Sequence, residues 1–295
     1  MHAFGWVLSN GKRTMKIILT RSVRKLGRAV GFGVAATIAL VSGAKADLLA
    51  DVKERGELVV ATEMQFAPFD FLVDGEYTGV DKDLFDEFGK ELGVKVRFID
   101  LPWPSILPAL EAGKFDMVGA PVTITKKRVE RYAFTLPFST AAAGLLKRAG
   151  NDAIQKPEDI AGKPTGGGKG NSQTQQLREF IETLPSQGPV RDYIDMNQAY
   201  ADLMTGRIVA VANSMPNLAY MARQHSDRFA LVQPAFGAPS YFGFVTRKTP
   251  EDQSLITALN KIILKMKKDG RMDAIHMKWF GIKMDLPDTP VEPTF

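Results

Sequence analysis

Residues Ala112 to Thr135 read AGKFDMVGAPVTITKKRVERYAFT. Gly113 is placed to end a helix over Ser105 to Ala112, apolar at Ile106, Leu107 and Leu110, and Phe115 to Val118 then reads as a short buried strand. Thr125 has the chemistry of an N-cap, which puts Lys126, Lys127 and Arg128 in the first turn of a new helix. A helix N-terminus already carries about +0.5 charge, so three cations there are unfavourable in isolation. An anion reverses the sign: free N–H groups at a helix start accept one, and a guanidinium grips a carboxylate with two parallel hydrogen bonds. The plain alternative is a solvated basic turn.

The segment has a partner further along. Leu110-Glu111-Ala112-Gly113-Lys114-Phe115-Asp116-Met117-Val118-Gly119-Ala120 is echoed by Leu203-Met204-Thr205-Gly206-Arg207-Ile208-Val209-Ala210-Val211-Ala212-Asn213. Each copy is a helix, a glycine stop, a basic residue and an apolar strand ending in small residues. Short apolar strands after amphipathic helices indicate parallel sheets covered on both faces, and ligands of such sheets bind beyond the carboxyl ends of the strands. The two copies would deliver Gly119 to Thr123 and Asn213 with Ser214 to one cleft.

The remaining helices follow from apolar spacing. They are expected over Asp83 to Leu92, from a capping box Ser172-Gln173-Thr174-Gln175 onward, over Asn197 to Thr205, over Glu251 to Lys268, and over Arg271 to Trp279. The proline-rich tail after Met284 is expected to be loose. Ser139 to Leu146 and Ser240 to Thr246 are the expected crossings between two lobes, residues 47–140 with 242–295 and residues 141–241.

The first 46 residues hold eight of the 38 Lys and Arg and no acid. An apolar run, Ala29 to Val41, precedes Ala44-Lys45-Ala46, the small-x-small form of a cleavage site. Residues 1–46 are therefore expected to be a secretory signal peptide cleaved before Asp47, with Met15 as an alternative start. The apolar run is too short to span a bilayer. Beyond it, 30 basic residues face 33 acidic ones, so the high pI belongs to the leader and nucleic-acid binding loses its main support. The chain has no cysteine, which excludes disulfides, a thiol nucleophile, thiolate metal sites and a lipid-modified cysteine. Three scattered histidines suggest neither a metal nor a catalytic centre, and no cofactor is expected.

From about Glu57 to Gly281 the chain resembles the family 3 periplasmic solute-binding proteins, the polar amino-acid receptors of ABC importers. The resemblance rests on ordered motifs: Leu58-Val59-Val60-Ala61-Thr62 with Phe66-Ala67-Pro68-Phe69, then Gly79-Val80-Asp81-Lys82-Asp83-Leu84, in which Val80 and Lys82 are departures. Leu107-Pro108-Ala109-Leu110, Phe115-Asp116, Ile124-Thr125, Arg128, Phe134-Thr135 and Pro137-Phe138 continue it. It implies an α/β fold of two lobes with the same partition, each a mostly parallel sheet with helices on both faces, joined by two hinge strands that permit closure around a ligand. It also implies a monomeric periplasmic receptor for an amino acid or close relative, not an enzyme, that serves an inner-membrane ABC permease.

Carried onto this chain, the resemblance makes Arg128 the carboxylate clamp, with Thr123 and the backbone of Ala120 beside it. Gly168, Asn171 and Ser172 fall at the second lobe's helix start, on the far side of the same carboxylate; Ser172 also reads as a capping residue. The three consecutive glycines there suggest a flexible wall. Phe66 and Trp103 stand where ligand-stacking walls are expected, although either also reads as core, and Phe69 and Phe71 read as core. Ser214 stands where the family places the aspartate for the ligand's ammonium. Glu63, after the first strand, is the nearest spare acid and would meet a side-chain cation or replace that aspartate. The missing aspartate leaves open a ligand without an α-ammonium, such as an opine or organic acid. A periplasmic cyclohexadienyl dehydratase shares the implied fold and is the enzymatic alternative, with Glu63 as its acid/base.

Overall fold

The computed structural model describes residues 47–295, and the expectations for 1–46 lie outside them. Helix α1 (Leu48–Arg55) starts on Asp47, whose Oδ1 accepts from Ala50 N at 3.1 Å and from Ser254 Oγ at 2.6 Å. Strand β1 (Glu57–Thr62) leads to a small antiparallel sheet, β2 (Gln65–Phe66), β3 (Asp70–Val73) and β4 (Glu76–Thr78). Next come α2 (Val80–Leu92), β5 (Lys95–Asp100), α3 (Trp103–Glu111), β6 (Met117–Thr123), α4 (Lys126–Arg131), β7 (Tyr132–Phe134) and β8 (Ser139–Thr140). Gly79, at the start of α2, has φ 130°, and a Cβ there would stand 2.1 Å from the carbonyl oxygen of Phe69. Only glycine fits.

The chain then builds a second sheet from β9 (Ala143–Arg148), β10 (Thr165–Gly168), α5 (Ser172–Glu182), β11 (Val190–Tyr193), α6 (Met196–Met204), β12 (Ala210–Ser214), α7 (Met215–Gln224) and β13 (Phe229–Val232). It returns through β14 (Tyr241–Arg247), α8 (Gln253–Asp269) and α9 (Arg271–Phe280). The first sheet runs β5-β1-β6-β14-β7 with β8 on β14, and the second runs β11-β10-β12-β9-β13. Each has a parallel core, β5-β1-β6 or β11-β10-β12, to which β14 or β9 adds antiparallel pairing. The sheets are thus more mixed than the expected mostly parallel form.

Both faces of each sheet are covered. Phe69, Phe85, Phe88, Phe138 and Phe244 fill one face of the first, with Phe138 and Phe244 stacked at 4.2 Å; Ile106, Leu110 and Val118 fill the other. Each such side chain contributes roughly 1.5–3 kcal/mol on burial. His276 is buried in this lobe with Nε2 2.8 Å from the Phe138 carbonyl, a packing role.

Several expectations shift. The two near-repeats are α3–β6 and α6–β12, each with a left-handed glycine, Gly113 or Gly206, between helix and strand. Segment 139–146 is two strands in different sheets, so the first crossing lies at 141–142. β14 belongs wholly to the first sheet, and the second crossing therefore precedes it, over residues 233–240. The crossings touch where Ala141 N donates to Ser240 O at 2.7 Å. The tail is not loose. Leu286 is buried, Lys267 Nζ bonds the carbonyls of Leu286 and Pro287, Thr294 Oγ1 donates to Pro239 O, and Lys126 N donates to Phe295 O at 2.8 Å. Prolines stiffen such a tail, which lowers the entropy lost when its carbonyls and Leu286 are anchored.

Candidate functional site

The carboxyl ends of β1 and β6 face the start of α5 across a narrow cleft. β6 ends at Thr123, and Thr125 Oγ1 caps α4 by accepting from Arg128 N at 3.3 Å. That cap turns the Arg128 side chain back into the cleft. Arg128 Nη1 donates to Thr123 O at 3.2 Å and to Ser172 Oγ at 2.9 Å, while Nη2 donates to Gly170 O at 3.3 Å. Its guanidinium carbon sits 5.4 Å from the centre of the Trp103 ring. Burial pulls its pKa down to about 10, which leaves it charged at neutral pH.

Among the described residues no carboxylate pairs with Arg128. Neutral acceptors leave this half-buried cation incompletely compensated, and an incoming anion relieves that cost. Lys127 is exposed, and Lys126, also exposed, donates from Nζ to Thr294 O at 3.2 Å, so neither enters the cleft.

Arg128 lines a small cavity of about 10 Å³, together with Glu63, Phe66, Trp103, Pro121, Thr123, Asn171, Ser172, Gln173 and Phe242. This is below the roughly 300–1,000 Å³ of drug-sized sites, as fits a shut cleft. A larger, mostly apolar cavity of about 410 Å³ lies between α7 and residues 280–285. Its arginine, Arg223, is already bound to backbone carbonyls, so the small cavity has the better claim to a charged ligand.

Glu63 stands at the end of β1 with its backbone N–H donating to Asp70 Oδ2 at 3.2 Å. Burial, then the negative charges of Asp70 and Asp100, hold its carboxyl well above the usual range. Behind it lies an acid cluster. Asp70 accepts from Thr62 Oγ1 and is pushed up to about 8, chiefly by burial. Asp81 is fully buried with both oxygens unpartnered, and burial raises it too.

Seven of the ten residues singled out from the sequence thus share one cavity: Arg128, Thr123, Phe66, Trp103, Glu63, Asn171 and Ser172. Three do not line it. Ala120 packs with Ile106 and Leu110, and Ser214 Oγ is buried without a partner at the start of α7. Gly168 lies under the Asn171 side chain, whose Nδ2 would stand 2.4 Å from a Cβ there. The glycine run is a packing device rather than a flexible wall: Cβ atoms on Gly166 and Gly167 would meet Tyr193 and Thr174 at 2.5 and 2.3 Å.

The capping box is also replaced. Asn171 holds the N-cap position without a side-chain bond, and Ser172 turns its hydroxyl to Arg128. Phe71 is half-buried against Tyr220 and Trp279 rather than in the core.

Pro121, within the Gly119 to Thr123 stretch expected at the cleft, completes the wall with Gln173 and Phe242, neither of which was read as a site residue. Gln173 is 3% exposed, and its Nε2 donates to Ala141 O at 2.9 Å and to Thr123 Oγ1 at 3.3 Å. A glutamine in the first turn of a helix reads as a cap until the opposite lobe is in place.

The family model of the bacterial extracellular solute-binding proteins, family 3, matches residues 58–282. The chain belongs to this family. The solute-binding chain is 33% identical over 264 residues to the L-cystine-binding protein TcyJ of Escherichia coli (strain K12), covering 87% of this chain and 96% of that one. It is 27% identical over 222 residues to a probable histidine-binding protein of Campylobacter jejuni, covering 75% and 84%. Among solved structures it resembles the ancestral amino acid-binding protein AncCDT-1, a precursor of cyclohexadienyl dehydratase, with a TM-score of 0.72 and 33% identity over 80% of this chain and all of that one. An ancestral arginine-binding protein bound to arginine gives a TM-score of 0.70 at 33% identity, covering 77% and 99%. These two-lobed neighbours share the solute-binding fold described above. Among the described residues, no helix is long and apolar enough to cross a membrane.

Proposed function

We propose that this protein is a periplasmic amino-acid receptor, exported through residues 1–46, that closes residues 47–140 with 242–295 against residues 141–241 around its ligand. One observation carries the reading: Arg128 is a cleft cation held by neutral acceptors alone, with the start of α5 opposite it. A carboxylate seated there takes two guanidinium N–H bonds and the free N–H groups at the start of α5. Glu63 supplies the negative charge for the ligand's cation, and Phe66, Trp103 and Phe242 wall its apolar part. The relatives named above are a cystine-binding protein, a probable histidine-binding protein and a protein bound to arginine, and each of these amino acids is a carboxylate with at least one cation. The receptor acts as a monomer without a cofactor, leaves its ligand chemically unchanged and delivers it to an inner-membrane ABC permease.

A second reading has specific support. Among the described residues Glu63 is the one acid that lines the cavity, and Ser214, buried off the cavity, supplies no charge in place of the family's aspartate. A carboxylate ligand without an α-ammonium, such as an opine or organic acid, fits that balance. A raised carboxyl pKa would also suit a general acid, the enzymatic alternative. Native mass spectrometry of freshly purified protein, followed by calorimetry with amino acids, tests these readings. A co-purified amino acid supports the receptor, whereas conversion of prephenate or arogenate establishes the enzyme.

A further inference from the structure

One face of α7 grips the opposite lobe at three levels, clear of the ligand cavity. Asn217, Tyr220 and Arg223 follow one another at three-residue spacing and so share a face of the helix. Asn217 Nδ2 donates to the carbonyl of Ala67. The Tyr220 ring lies 6.2 Å from Phe71, which itself packs edge-on against Trp279 at 5.7 Å. Arg223 donates from Nη1 to Phe280 O at 2.9 Å and from Nη2 to Trp279 O at 2.8 Å. Those carbonyls end α9, where the chain turns away at the left-handed Gly281 and the helix dipole is negative. None of the three α7 residues lines the cavity.

We propose that Asn217, Tyr220 and Arg223 form a latch that sets ligand affinity from outside the cavity, by stabilising the closed arrangement of the lobes. The inference rests on the receptor reading, because it needs lobes that open and close. Each contact joins the two lobes and is lost when they part, so it stabilises the closed form alone. The apparent dissociation constant equals the intrinsic one divided by the closed fraction, so raising that fraction tightens binding of any ligand. The contacts differ in character. Asn217 is 2% exposed and preset, since Tyr200 Oη donates to its Oδ1 at 3.1 Å. Arg223 is exposed, and its bonds compete with water.

The chain has no cysteine, so cysteines introduced at the exposed Glu54 and Gln198 allow one spin label in each lobe. Pulsed dipolar spectroscopy of ligand-free protein then reads the closed fraction, while calorimetry with L-cystine and L-arginine reads affinity. Asn217→Asp keeps the acceptor for Tyr200 and loses the donor to Ala67; Arg223→Ala lies at the surface and leaves folding intact. Both variants should lower the ligand-free closed fraction. Both should weaken any probe that binds by roughly three- to tenfold, by the same factor for chemically different probes. Arg223→Lys should recover part of the loss. A closed fraction unchanged in both variants overturns the latch. If neither probe binds or closes the wild type, the receptor reading fails for these ligands, and the ligand-free closed fraction still decides the latch.

Discussion

Arg128 and Ser172 meet across the cleft, Nη1 donating to Oγ at 2.9 Å, and so join the end of β6 to the start of α5. The bond occupies the place between guanidinium and helix N-terminus where a ligand carboxylate is proposed to sit. Ligand entry therefore exchanges a bond from the guanidinium to a neutral hydroxyl for a two-pronged bond to a carboxylate of opposite charge.

Arg128→Lys should weaken binding almost as much as Arg128→Ala. Lysine keeps the charge but loses the planar fork that engages both carboxylate oxygens. Losing a charge-assisted pair from a closed cleft costs on the order of 2–5 kcal/mol, readable by calorimetry. Wild-type affinity in Arg128→Lys would remove Arg128 from the site.

Glu63→Gln should reduce affinity for a zwitterion tenfold or more, on the order of 1.4 kcal/mol, while Ser214→Ala changes it little. Glu63 lines the cavity and Ser214 does not. A ligand cation selects the ionised carboxylate, so binding releases a proton below the raised pKa of Glu63, and affinity rises with pH. Calorimetry in buffers of different ionisation enthalpy measures that proton. Normal binding by Glu63→Gln would favour the ligand without an α-ammonium.

Stability should fall as pH rises from about 4 to about 8. Asp70 has a folded pKa of about 8 against the ordinary 3.8, so within that window the folded state holds a proton that the unfolded state has lost. Stability then declines with pH, because the folded state binds more protons. The contribution is fully present below the lower value and gone above the upper one. Asp70→Asn, shaped like the neutral acid, should flatten the dependence of melting temperature on pH; an unaltered slope would mean that Asp70 is ionised throughout.

Gln173→Leu should destabilise the protein by about 1–3 kcal/mol and weaken ligand binding. The change leaves the Ala141 carbonyl, at the crossing between lobes, and the Thr123 hydroxyl without the Gln173 donor. Chemical denaturation and calorimetry measure the two effects separately. Unchanged values in both would make the glutamine incidental.

Much of the fold was legible because its signals are local. The glycine stops at Gly113 and Gly206, the cap at Thr125 and the apolar faces of α2, α8 and α9 depend on neighbours a few residues away. Where the reading failed, a packing partner outside the local pattern was decisive. Ser172 looks like a capping residue until Arg128, 44 residues away, faces it, and Gly166 looks flexible until Tyr193 packs over it.

The sequence by itself determined the alternation of strands and helices, the two near-repeats and the chemistry of Arg128 and Glu63, since periodicity and side-chain type are properties of the chain. Only the tertiary structure decided which groups meet. Gln173 and Phe242 join the cavity wall, Ser214 and Ala120 drop out of it, and the tail is tied to α4 through Lys126. The reason is geometric: the side of a buried residue that faces the cleft depends on how two sheets pack across crossings, and no local pattern encodes that angle.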